Sequence, residues 1–471
     1  FHSYCFDILG RLGSLSESEN IVLTAVQKIR SGEIEPSKIT KAVLVVDEAQ
    51  DMNKHEYELV KALMEQNEEM RVILVGDDDQ NIYGFRGADA TYMQQLITEK
   101  AAIKYELTEN YRSKDNLVSL ANSWASTISK RLKTEPCFAS QPQNGLIEIT
   151  QYTNNTIIVP LADHISRAAL SGSTCVLTKT NEDAMLLSGL LLQRGVQVKL
   201  IQSNDGFNLS NLYELRYFSD LLNANADNPL IYDDDWTEAK RQLNTHINAS
   251  NKKELVNAVI KAFEDANTAK KYKSDWKSFL FESKAEDFLS IDSELIYAST
   301  IHKAKGKEFE NVFLLLKNFT PQTDEEKRQF YVAITRAKTN LSIHYSRNYL
   351  RPLRIEGLIY KEDQQAYPEP QQIAIYLTHR DVQLGYFEFV QHRLHSLLSG
   401  SVLQVVEDGL ANTEGDLICK YAQKFRGVLK EYAERGFRIA GARINYVVYW
   451  KDEARDKESK IILPQLLLKR Q

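Results

Sequence analysis

The chain has 471 residues, of which 43% are hydrophobic and 26% charged, and its net charge of -6 completes an ordinary globular composition. At roughly 150 residues per domain, this length allows about three domains. The sequence contains no apolar run near the roughly 18 residues that a membrane span needs, and no signal peptide is visible. We therefore expect a cytoplasmic protein with no membrane partner.

The four cysteines are Cys5, Cys137, Cys175 and Cys419, and no two of them form a CxxC pair. This spacing predicts neither a disulfide framework nor a zinc site. The slightly acidic net charge constrains nucleic-acid binding only weakly, because binding grooves are local. The chain opens on Phe1 and not on Met, so we expect a fragment or a processed product.

The first hundred residues alternate between strand and helix patterns. Residues 41–46 (KAVLVV) and 70–75 (MRVILV) are nearly all-apolar runs that end in acidic residues, which is typical of parallel strands covered on both faces. Residues 55–65 place apolar side chains on one face of a helix between them. The sequence therefore predicts a βαβ unit and the α/β fold class.

Later segments repeat this alternation with interruptions. Stretches rich in Pro, Gln, Asn or Gly at 136–145 and 351–372 are predicted to be linkers. Residues 223–292 are rich in Asp, Lys, Glu and Ala with helical periodicity, and we interpret them as a small helical insertion. Further strands are predicted at 145–152, 174–179, 196–202, 312–316 and 341–345.

The strongest local signal is a carboxylate pair, Asp47 and Glu48, directly after the first predicted strand. Ligands bind at the carboxyl ends of strands in open α/β sheets. In a nucleotide hydrolase, the first acid of such a pair holds Mg²⁺ and the second polarises the attacking water. Taken alone, the pair could also be a solvated strand end.

A second signal follows the neighbouring strand, at residues 75–87 (VGDDDQNIYGFRG), and is expected beside the carboxylate pair. Gln80 is a neutral donor and acceptor that suits the sensing of a terminal phosphate. Tyr83 and Phe85, followed by Arg86, would form a stacking platform for bases. A turn carrying two core aromatic residues is the alternative.

These two segments resemble the Walker B and following motifs of the UvrD/Rep family, which are superfamily-one DNA helicases. Further motifs of the family appear in order at 109–113 (ENYRS), 298–309 (ASTIHKAKGKEF) and 331–337 (YVAITRA). The opening, FHSY, is similar to the end of the motif that precedes Walker B. Five matches in the family's order are not expected by chance. The resemblance runs from Phe1 to about Tyr349 and thins across the predicted insertion.

The resemblance implies two RecA-like parallel-sheet domains, with ATP in the cleft between them and single-stranded DNA across their tops. The first of these domains would be incomplete here. Outside the resemblance, we expect a separate α+β or β-rich module at the end of the chain, which could bind nucleic acid or a partner. The expected parts are a first domain at 1–110, a second at 111–222 and 293–350, an insertion at 223–292, a linker at 351–372 and the C-terminal module at 373–471.

The resemblance also assigns roles at the nucleotide. Asp47 would bind Mg²⁺, Glu48 would activate water, and Gln80 would read the γ-phosphate. Arg112 and Arg336 would be arginine fingers, a role whose logic holds independently because positioning and charge catalyse phosphoryl transfer. The remaining nucleotide contacts implied are Tyr111, which would stack on adenine, Glu308, which would take the ribose, and Gly306.

On the DNA side, the resemblance implies contacts from Tyr83, Phe85, Arg86, Thr300 and His302. Each assigned residue has a bland alternative as well. Arg112 could cap a helix, Arg336 could pair with a surface carboxylate, and His302 could be a satisfied polar residue. The lysines of 303–307 could form a solvated loop. The order and spacing of the motifs favour function over these alternatives.

The sequence departs from the family in three ways. It contains no GxxxxGK[ST] phosphate loop, so we expect a chain that starts after that loop and hydrolyses ATP weakly or not at all alone. A degenerate relative without hydrolysis is the alternative, although the retained carboxylates and arginines oppose it. The insertion at 223–292 is reduced, and Phe85 stands where the family often has Trp.

The predicted function is an ATP-dependent helicase or translocase that acts on single-stranded DNA or on a duplex with a single-stranded tail. The resemblance implies movement from 3′ to 5′. ATP and Mg²⁺ are the expected cofactors. The rival is a non-catalytic nucleic-acid-binding module on a helicase-like scaffold. Residues 416–450 carry seven Lys or Arg against three acids beside an aromatic strand, although a packed strand under a solvated helix explains them equally well. An RNA track would differ chiefly in contacts to the 2′-hydroxyl.

Overall fold

A computed structural model of the chain describes residues 1–9, 18–201, 207–223, 228–268, 270–288, 295–452 and 457–471. Two compact units divide it: unit 1 is Phe1–Thr180 with Ser293–Tyr367, and unit 2 is Asn181–Asp292 with Pro368–Gln471. Across these described ranges, no helix is both long and apolar enough to cross a membrane. The expected boundary between 292 and 293 lies outside the described residues, and the expected domain limits stay a prediction.

The helices in the described part of the chain are numbered in sequence order. They are α1 (His2–Leu9), α2 (Ser18–Arg30), α3 (Pro36–Ile39), α4 (Lys54–Gln66), α5 (Thr91–Glu99), α6 (Asp115–Ala125), α7 (Ile158–Arg167), α8 (Asn181–Gln193), α9 (Tyr213–Leu222), α10 (Asp233–His246), α11 (Lys253–Ala266), α12 (Lys273–Glu282), α13 (Asp324–Ile334), α14 (Leu384–Phe387) and α15 (Gln423–Glu434).

The strands are numbered in the same way. They are β1 (Val43–Val46), β2 (Arg71–Leu74), β3 (Glu109–Lys114), β4 (Phe138–Gln141), β5 (Leu146–Tyr152), β6 (Thr174–Thr178), β7 (Val198–Leu200), β8 (Leu230–Ile231), β9 (Lys271–Tyr272), β10 (Ile296–Thr300), β11 (Phe309–Leu316), β12 (Ala337–Tyr345), β13 (Leu358–Asp363), β14 (Gln372–Tyr376), β15 (Val402–Val406), β16 (Gly409–Ala411), β17 (Leu417–Lys420), β18 (Phe437–Asp452) and β19 (Lys457–Arg470).

The predicted βαβ unit is confirmed in unit 1. Strands β1 and β2 pair in parallel, with Val43 opposite Arg71, and α4 connects them. Helix α4 begins at a capping box in which the Asn53 side chain accepts from the backbone of Glu56 while the Glu56 carboxylate accepts from the backbone of Asn53. Such a box satisfies amide groups that the first helical turn leaves unpaired. This cap fixes the chain just after the predicted carboxylate pair.

A larger parallel sheet in unit 1 confirms the second predicted sheet. Its strands in this unit run in the order β13-β5-β12-β11-β6-β10. Strands β6 and β10 are buried at every position. Both faces of these strands are therefore covered, as is typical of parallel sheets, and even their threonines and serine are buried.

Short strands occur inside both segments that were predicted to be linkers. Residues 138–141 form β4, which pairs with β3, and residues 358–363 form β13, which pairs with β5. The linker prediction is therefore wrong at these positions. Both strands are short, and their side chains alternate between exposed and half-buried. Polar sequence on such a half-solvated strand carries a weak signal.

Unit 2 combines helices with an antiparallel sheet. The predicted helices of the insertion and the predicted strands of the C-terminal module are therefore confirmed. The sheet order is β14-β19-β18-β15-β16-β17, dominated by the long pair of β18 and β19. In the helical part, the rings of Phe218, Trp236, Phe263 and Trp276 pack with centroids 5.0–5.6 Å apart. Aromatic packing of this kind supplies large buried apolar area to a small helical core.

A buried charge cluster joins the helices and the strands of unit 2. Glu214 is fully buried, and Lys252 donates to the side chain of Asn445 at 3.0 Å. The ammonium of Lys252 lies 3.9 Å from the ring centroid of Tyr446 on β18. Burial lowers the pKa of Lys252 and of Lys460 to about 8. Lys252 therefore links the helical insertion to the C-terminal strands within unit 2.

A chain of buried polar rings lies in the large sheet of unit 1. His344 on β12 is 1% exposed, and its Nδ1 is 2.7 Å from the hydroxyl of Tyr152. Its Nε2 is 3.1 Å from Nδ1 of His164 and 3.2 Å from the hydroxyl of Ser342. Burial lowers the pKa of His344 to about 3, and the neighbouring His164 acts in the same direction.

We expect this histidine to make unit 1 sensitive to acid. The unfolded chain takes a proton on it near pH 6.5, whereas the folded chain keeps it neutral down to about pH 3, so stability falls as pH drops below 6.5. The loss of folding free energy should approach about 1.4 kcal/mol per pH unit. Urea unfolding at pH 7.5 and 5.5 measures it. The exposed control His392→Gln should keep the wild-type pH dependence, while His344→Gln should flatten it; an unchanged slope in His344→Gln would contradict the assignment.

Candidate functional site

The two predicted polar turns meet at the carboxyl ends of β1 and β2. The amide of Val75 donates to the carbonyl of Val46 at 2.8 Å, and the amide of Ala49 donates to the carbonyl of Val75 at 2.9 Å. These hydrogen bonds carry the parallel pairing beyond the strands. The turn that holds the carboxylate pair therefore lies directly against the turn that begins at Gly76, as the sequence predicts.

Glu48 adopts an unusual backbone conformation at this edge. Its φ is 50° and its ψ is 39°, which is the left-handed region that non-glycine residues rarely occupy. The Gln50 side chain donates to the Glu48 carboxylate at 2.5 Å and accepts from the amide of Asp77 at 2.9 Å. A Cβ on Gly76 would lie 2.4 Å from the side-chain oxygen of Gln50, so a larger residue here would displace Gln50 from these hydrogen bonds. Buried Gln50 thus aims the Glu48 carboxylate and ties both turns together.

Two acidic sites are candidates for a metal ion: Asp47, and the group formed by Asp77, Asp78 and Asp79. One carboxylate oxygen of exposed Asp47 accepts from the amide of Glu48 at 2.9 Å. Mg²⁺ keeps several waters and needs only one or two carboxylates, so the oxygen chemistry at this strand end fits the ion. Asp77, Asp78 and Asp79 also cluster, with ligand atoms within 4.8 Å of one another.

Protein cations compensate the charges of the Asp77–Asp79 cluster. Arg131 contacts Asp79 with two hydrogen bonds of 2.8 and 2.7 Å, and Lys133 lies 2.7 Å from Asp77 and 3.2 Å from Asp79. Burial is the main cause that raises the pKa of Asp78, whose carboxylate accepts from the backbone of Leu132 at 2.6 Å. The cluster is therefore a buried ion network, and Asp47 is the better metal candidate.

Arg336 is buried, at 2% exposure, and contacts the predicted phosphate sensor. Its guanidinium donates to the Gln80 side chain at 3.0 Å, and Gln80 donates in turn to the Asp77 carboxylate at 2.9 Å. The Arg336 guanidinium also donates to the carbonyls of Val332 and Lys307 at 3.0 and 3.2 Å. The alternative of a surface ion pair is therefore wrong for Arg336.

Burial lowers the pKa of Arg336 to about 10, and the charge of Arg112 acts in the same direction. The group stays protonated at neutral pH. Helix α13, which begins at a capping box of Thr323 and Glu326 and ends two residues before Arg336, sets its position. A desolvated guanidinium held by backbone carbonyls offers a fixed positive charge at the site.

Arg112 lies beside Glu308 and not at a helix end. The Arg112 side chain is 2.5 Å from Glu308, which also contacts Lys338 at 2.7 Å. The hydrogen bond from Lys338, and then the charge of Arg112, hold the pKa of Glu308 below its ordinary value. Tyr111 on the same strand as Arg112 is 69% exposed, which leaves its ring available for stacking. Gly306 lies on the loop between β10 and β11, and its φ of 80° is a conformation that favours glycine.

The predicted stacking residues form an aromatic turn around Gly84. Phe85 is 66% exposed, so the alternative of two core aromatics is wrong for it. The Phe85 ring lies 5.6 Å from the His302 ring, and the Tyr83 hydroxyl donates to the backbone carbonyl of His302 at 3.2 Å. The Arg86 guanidinium lies 5.4 and 5.5 Å from the two ring centroids. Burial lowers the pKa of His302, so its imidazole is neutral at neutral pH.

The structure brings most of the predicted residues to one end of unit 1, but not all with the expected exposure. Thr300 ends the fully buried strand β10 and is 6% exposed. Sequence reasoning also missed supporting residues: Gln50, which aims Glu48, and Arg131 and Lys133, which hold the acidic turn. Gln50 lies two residues after the predicted carboxylate pair, whereas no local pattern marks the two cations.

A parallel α/β unit that gathers carboxylates, an amide and arginines at its strand ends has the build of a nucleotide-hydrolysing protein. The model of the UvrD/REP helicase N-terminal domain matches residues 37–101, and that of the UvrD-like helicase C-terminal domain matches residues 105–232 and 229–348. Together they cover most of the chain up to residue 348. The chain belongs to the UvrD/Rep family of helicases.

Curated relatives agree with this family. The chain is 23% identical over 407 residues to DNA helicase II of Haemophilus influenzae, covering 64% of this chain and 55% of that protein. It is 28% identical over 199 residues to ATP-dependent DNA helicase Rep of Escherichia coli, covering 40% and 29%. ATP-dependent DNA helicase srs2 of Schizosaccharomyces pombe is 31% identical over 198 residues, covering 39% and 21%. The chain spans about half the length of the first of these relatives and less of the others.

Proposed function

We propose that this chain carries the larger part of the motor of an ATP-dependent DNA helicase, which moves 3′ to 5′ along single-stranded DNA. The observation that carries the proposal is the hydrogen-bonded line from Arg336 through Gln80 to Asp77, beside the turn of Glu48. It joins two motifs that lie 256 residues apart in the sequence. A phosphate bound beside these hydrogen-bonded residues would face both the proposed base, Glu48, and the fixed positive charge of Arg336.

In the proposed nucleotide site, Asp47 would hold Mg²⁺, and Glu48 orients the attacking water and accepts its proton. Gln80 contacts the γ-phosphate while Arg336 stabilises the charge that develops on it. Mg²⁺ supplies neutralisation of the phosphate oxygens when it is bound. Arg112, which lies against Glu308 at 2.5 Å, exchanges this carboxylate for a phosphate as the nucleotide enters.

The outer part of the proposed nucleotide site holds the base and the sugar. The exposed ring of Tyr111 stacks on adenine, as aromatic platforms do with any base. Glu308 accepts from the ribose hydroxyls once Arg112 has turned to the phosphate, and Lys338 keeps its carboxylate in place at 2.7 Å. Gly306, with φ at 80°, lets the chain turn between the DNA side and Glu308.

On the proposed DNA side, bases stack on Phe85 and on the neighbouring rings of Tyr83 and His302. The Arg86 guanidinium lies over the rings of Tyr83 and Phe85 and supplies a positive charge for the DNA phosphates. Such contacts bind single strands without reading sequence. Thr300 contributes only through its backbone, because its side chain is buried.

We further propose that the 471-residue chain alone hydrolyses ATP slowly or not at all. The sequence contains no GxxxxGK[ST] segment, and that segment supplies the backbone amides and the lysine that cradle the phosphates. The residues described above then contribute positioning and charge, but no phosphate anchor of that kind.

The test is ATP hydrolysis by the complete gene product and by the 471-residue chain, each with and without oligo(dT). We expect turnover that DNA stimulates in the gene product only. Binding of oligo(dT) without turnover in either protein would favour the non-catalytic nucleic-acid-binding module. Equal stimulation of ATP hydrolysis by oligo(U) would show that the protein also acts on RNA. A duplex with a single-stranded tail of each polarity then tests the direction.

A further inference from the structure

The part of the unit 2 sheet formed by β14, β19 and β18 has one packed face and one open face. On β19, Leu466 and Leu468 are buried, whereas Leu467 is 36% exposed and Lys469 is exposed as well. Successive side chains of a strand point to opposite faces, so Leu467 and Lys469 lie on the open face. The pairing register places four more residues on this face: Arg438 and Arg443 of β18, Tyr376 of β14 and Val402 of β15.

Two cations of the open face lie directly opposite each other. Arg438 pairs with Lys469 in the ladder of β18 and β19, and Arg443 follows on β18 opposite the neutral Gln465. Like charges at opposing positions destabilise an antiparallel pair. The free chain therefore carries a local repulsion here that a bound polyanion would relieve. Arg438, Arg443 and Lys469 are called the three cations below.

The strands that form the open face carry no acid to balance the three cations. Asp and Glu are absent from the segments 372–376, 402–406, 437–444 and 464–470, although the whole chain has a net charge of -6. Among the described residues, none of the three cations forms an ion pair with a carboxylate. Glu369, just before β14, already contacts Arg470 at 3.5 Å and Arg435 at 3.9 Å. The open face is therefore a positive surface on an acidic chain.

Neutral contacts position the two arginines without cancelling their charge. One nitrogen of the Arg438 guanidinium donates to the carbonyls of Ala433 and Phe437 at 3.0 and 2.9 Å. The Nε of Arg443 donates to the side-chain oxygen of Gln465 at 2.5 Å. A guanidinium has five N–H donors in a planar fork, so each arginine can hold these partners and still present donors to a phosphate.

We propose that the open face binds the phosphate backbone of DNA, as a second contact in addition to the aromatic turn of unit 1. DNA is the polyanion on which the helicases of this family act, and Arg and Lys supply many of the phosphate contacts in protein–DNA complexes. Four strand residues separate the rung of Arg443 from that of Lys469, a distance of about 13 Å. A stacked DNA strand carries one phosphate per about 3.4 Å. The two rungs would thus contact phosphates about four nucleotides apart.

The salt dependence of DNA binding by the 471-residue chain tests this, with oligo(dT) and a blunt DNA hairpin as separate ligands. Each phosphate contact adds about 0.7 to the slope of log K against log salt for single strands and about 0.9 for a duplex. Replacing the three cations together, as Arg438→Gln, Arg443→Gln and Lys469→Gln, should lower the slope by about 2 for oligo(dT) and about 3 for the hairpin. A reduced slope with one ligand only identifies the form of DNA that binds.

A matched control removes the same charge from a different surface. Lys424, Arg426 and Lys430 are exposed on α15, and their joint replacement with glutamine should keep the wild-type slopes. Equal losses in the control and in the variant of the three cations would mean that only net charge matters, and would overturn the proposal. Wild-type slopes with both ligands in a folded variant of the three cations overturn it as well.

Lys469→Glu makes the test independent of misfolding. It converts the like-charged rung with Arg438 into an opposite-charged pair, so the melting temperature should stay the same or rise while DNA affinity falls. Undiminished affinity in Lys469→Glu contradicts the proposal. Vesicles rich in phosphatidylserine offer a different polyanion. If the three cations are required for binding these vesicles but not for binding DNA, the face serves a membrane surface and the proposal is wrong.

Phe85→Ala separates this inference from the proposed function. Loss of oligo(dT) binding in the variant of the three cations, with none in Phe85→Ala, contradicts the proposed DNA site of unit 1 and supports the open face. Loss in Phe85→Ala, with none in the variant of the three cations, contradicts the open face alone. Loss in both variants supports two DNA contacts on one chain.

Discussion

Replacing Arg336 with lysine is expected to lower DNA-stimulated ATP turnover of the gene product by about 10³-fold, the scale on which a single arginine acts in phosphoryl transfer. The substitution keeps the charge but removes the planar set of donors that reaches Gln80 and two backbone carbonyls at the same time. A lysine ammonium is a point donor and cannot hold these three partners. The measurement is kcat and KM for ATP with saturating oligo(dT).

The split between the two kinetic constants distinguishes a role at the phosphate from a role in packing. Loss of transition-state stabilisation lowers kcat and leaves KM for ATP nearly unchanged. A generally destabilised protein would instead lose melting temperature and DNA affinity together with turnover. Arg347→Lys at an exposed position is the matched control and should keep wild-type values. Wild-type kcat in Arg336→Lys would remove Arg336 from the proposed mechanism.

Much of this site could be predicted because its residues follow strands with strong sequence signals. The apolar runs that became β1 and β2 locate the turns of Asp47 and Gly76, and parallel pairing requires those turns to be neighbours. The contact of Arg336 with Gln80 was not visible from spacing alone. The resemblance gave each of the two residues a role at the nucleotide, and the structure adds their contact, with a buried guanidinium that backbone carbonyls hold.

The supporting shell was not predictable in the same way. Arg131 and Lys133 stand in a polar stretch with no periodicity, yet they neutralise Asp77 and Asp79, which lie 52 or more residues earlier in the chain. Tertiary packing alone creates these pairs. The same holds for β13, whose partner β5 lies about two hundred residues away. The local sequence pattern indicates which secondary structure a segment prefers, whereas its tertiary partners depend on residues far away in the chain.

Replacing Glu48 with glutamine is expected to reduce DNA-stimulated ATP turnover of the gene product by about 10²- to 10⁴-fold, the usual contribution of a positioned general base. The amide has the shape of the carboxylate but cannot take a proton from water. Nucleotide binding should persist, because the proposed ligand of Mg²⁺ is Asp47. Single-turnover hydrolysis and binding of a fluorescent ATP analogue measure the two effects separately. The exposed control Glu68→Gln should retain wild-type turnover.

The backbone of Glu48 gives this prediction a structural basis beyond residue type. Its left-handed conformation, with φ at 50°, costs energy, and residues held in this way concentrate at functional sites. Gln50 and Lys305 contact the same carboxylate at 2.5 and 3.7 Å, so the surrounding groups specify where it points. A solvated strand end has no need of such support. Undiminished hydrolysis in Glu48→Gln would therefore leave the strained turn unexplained and would assign the base to another residue.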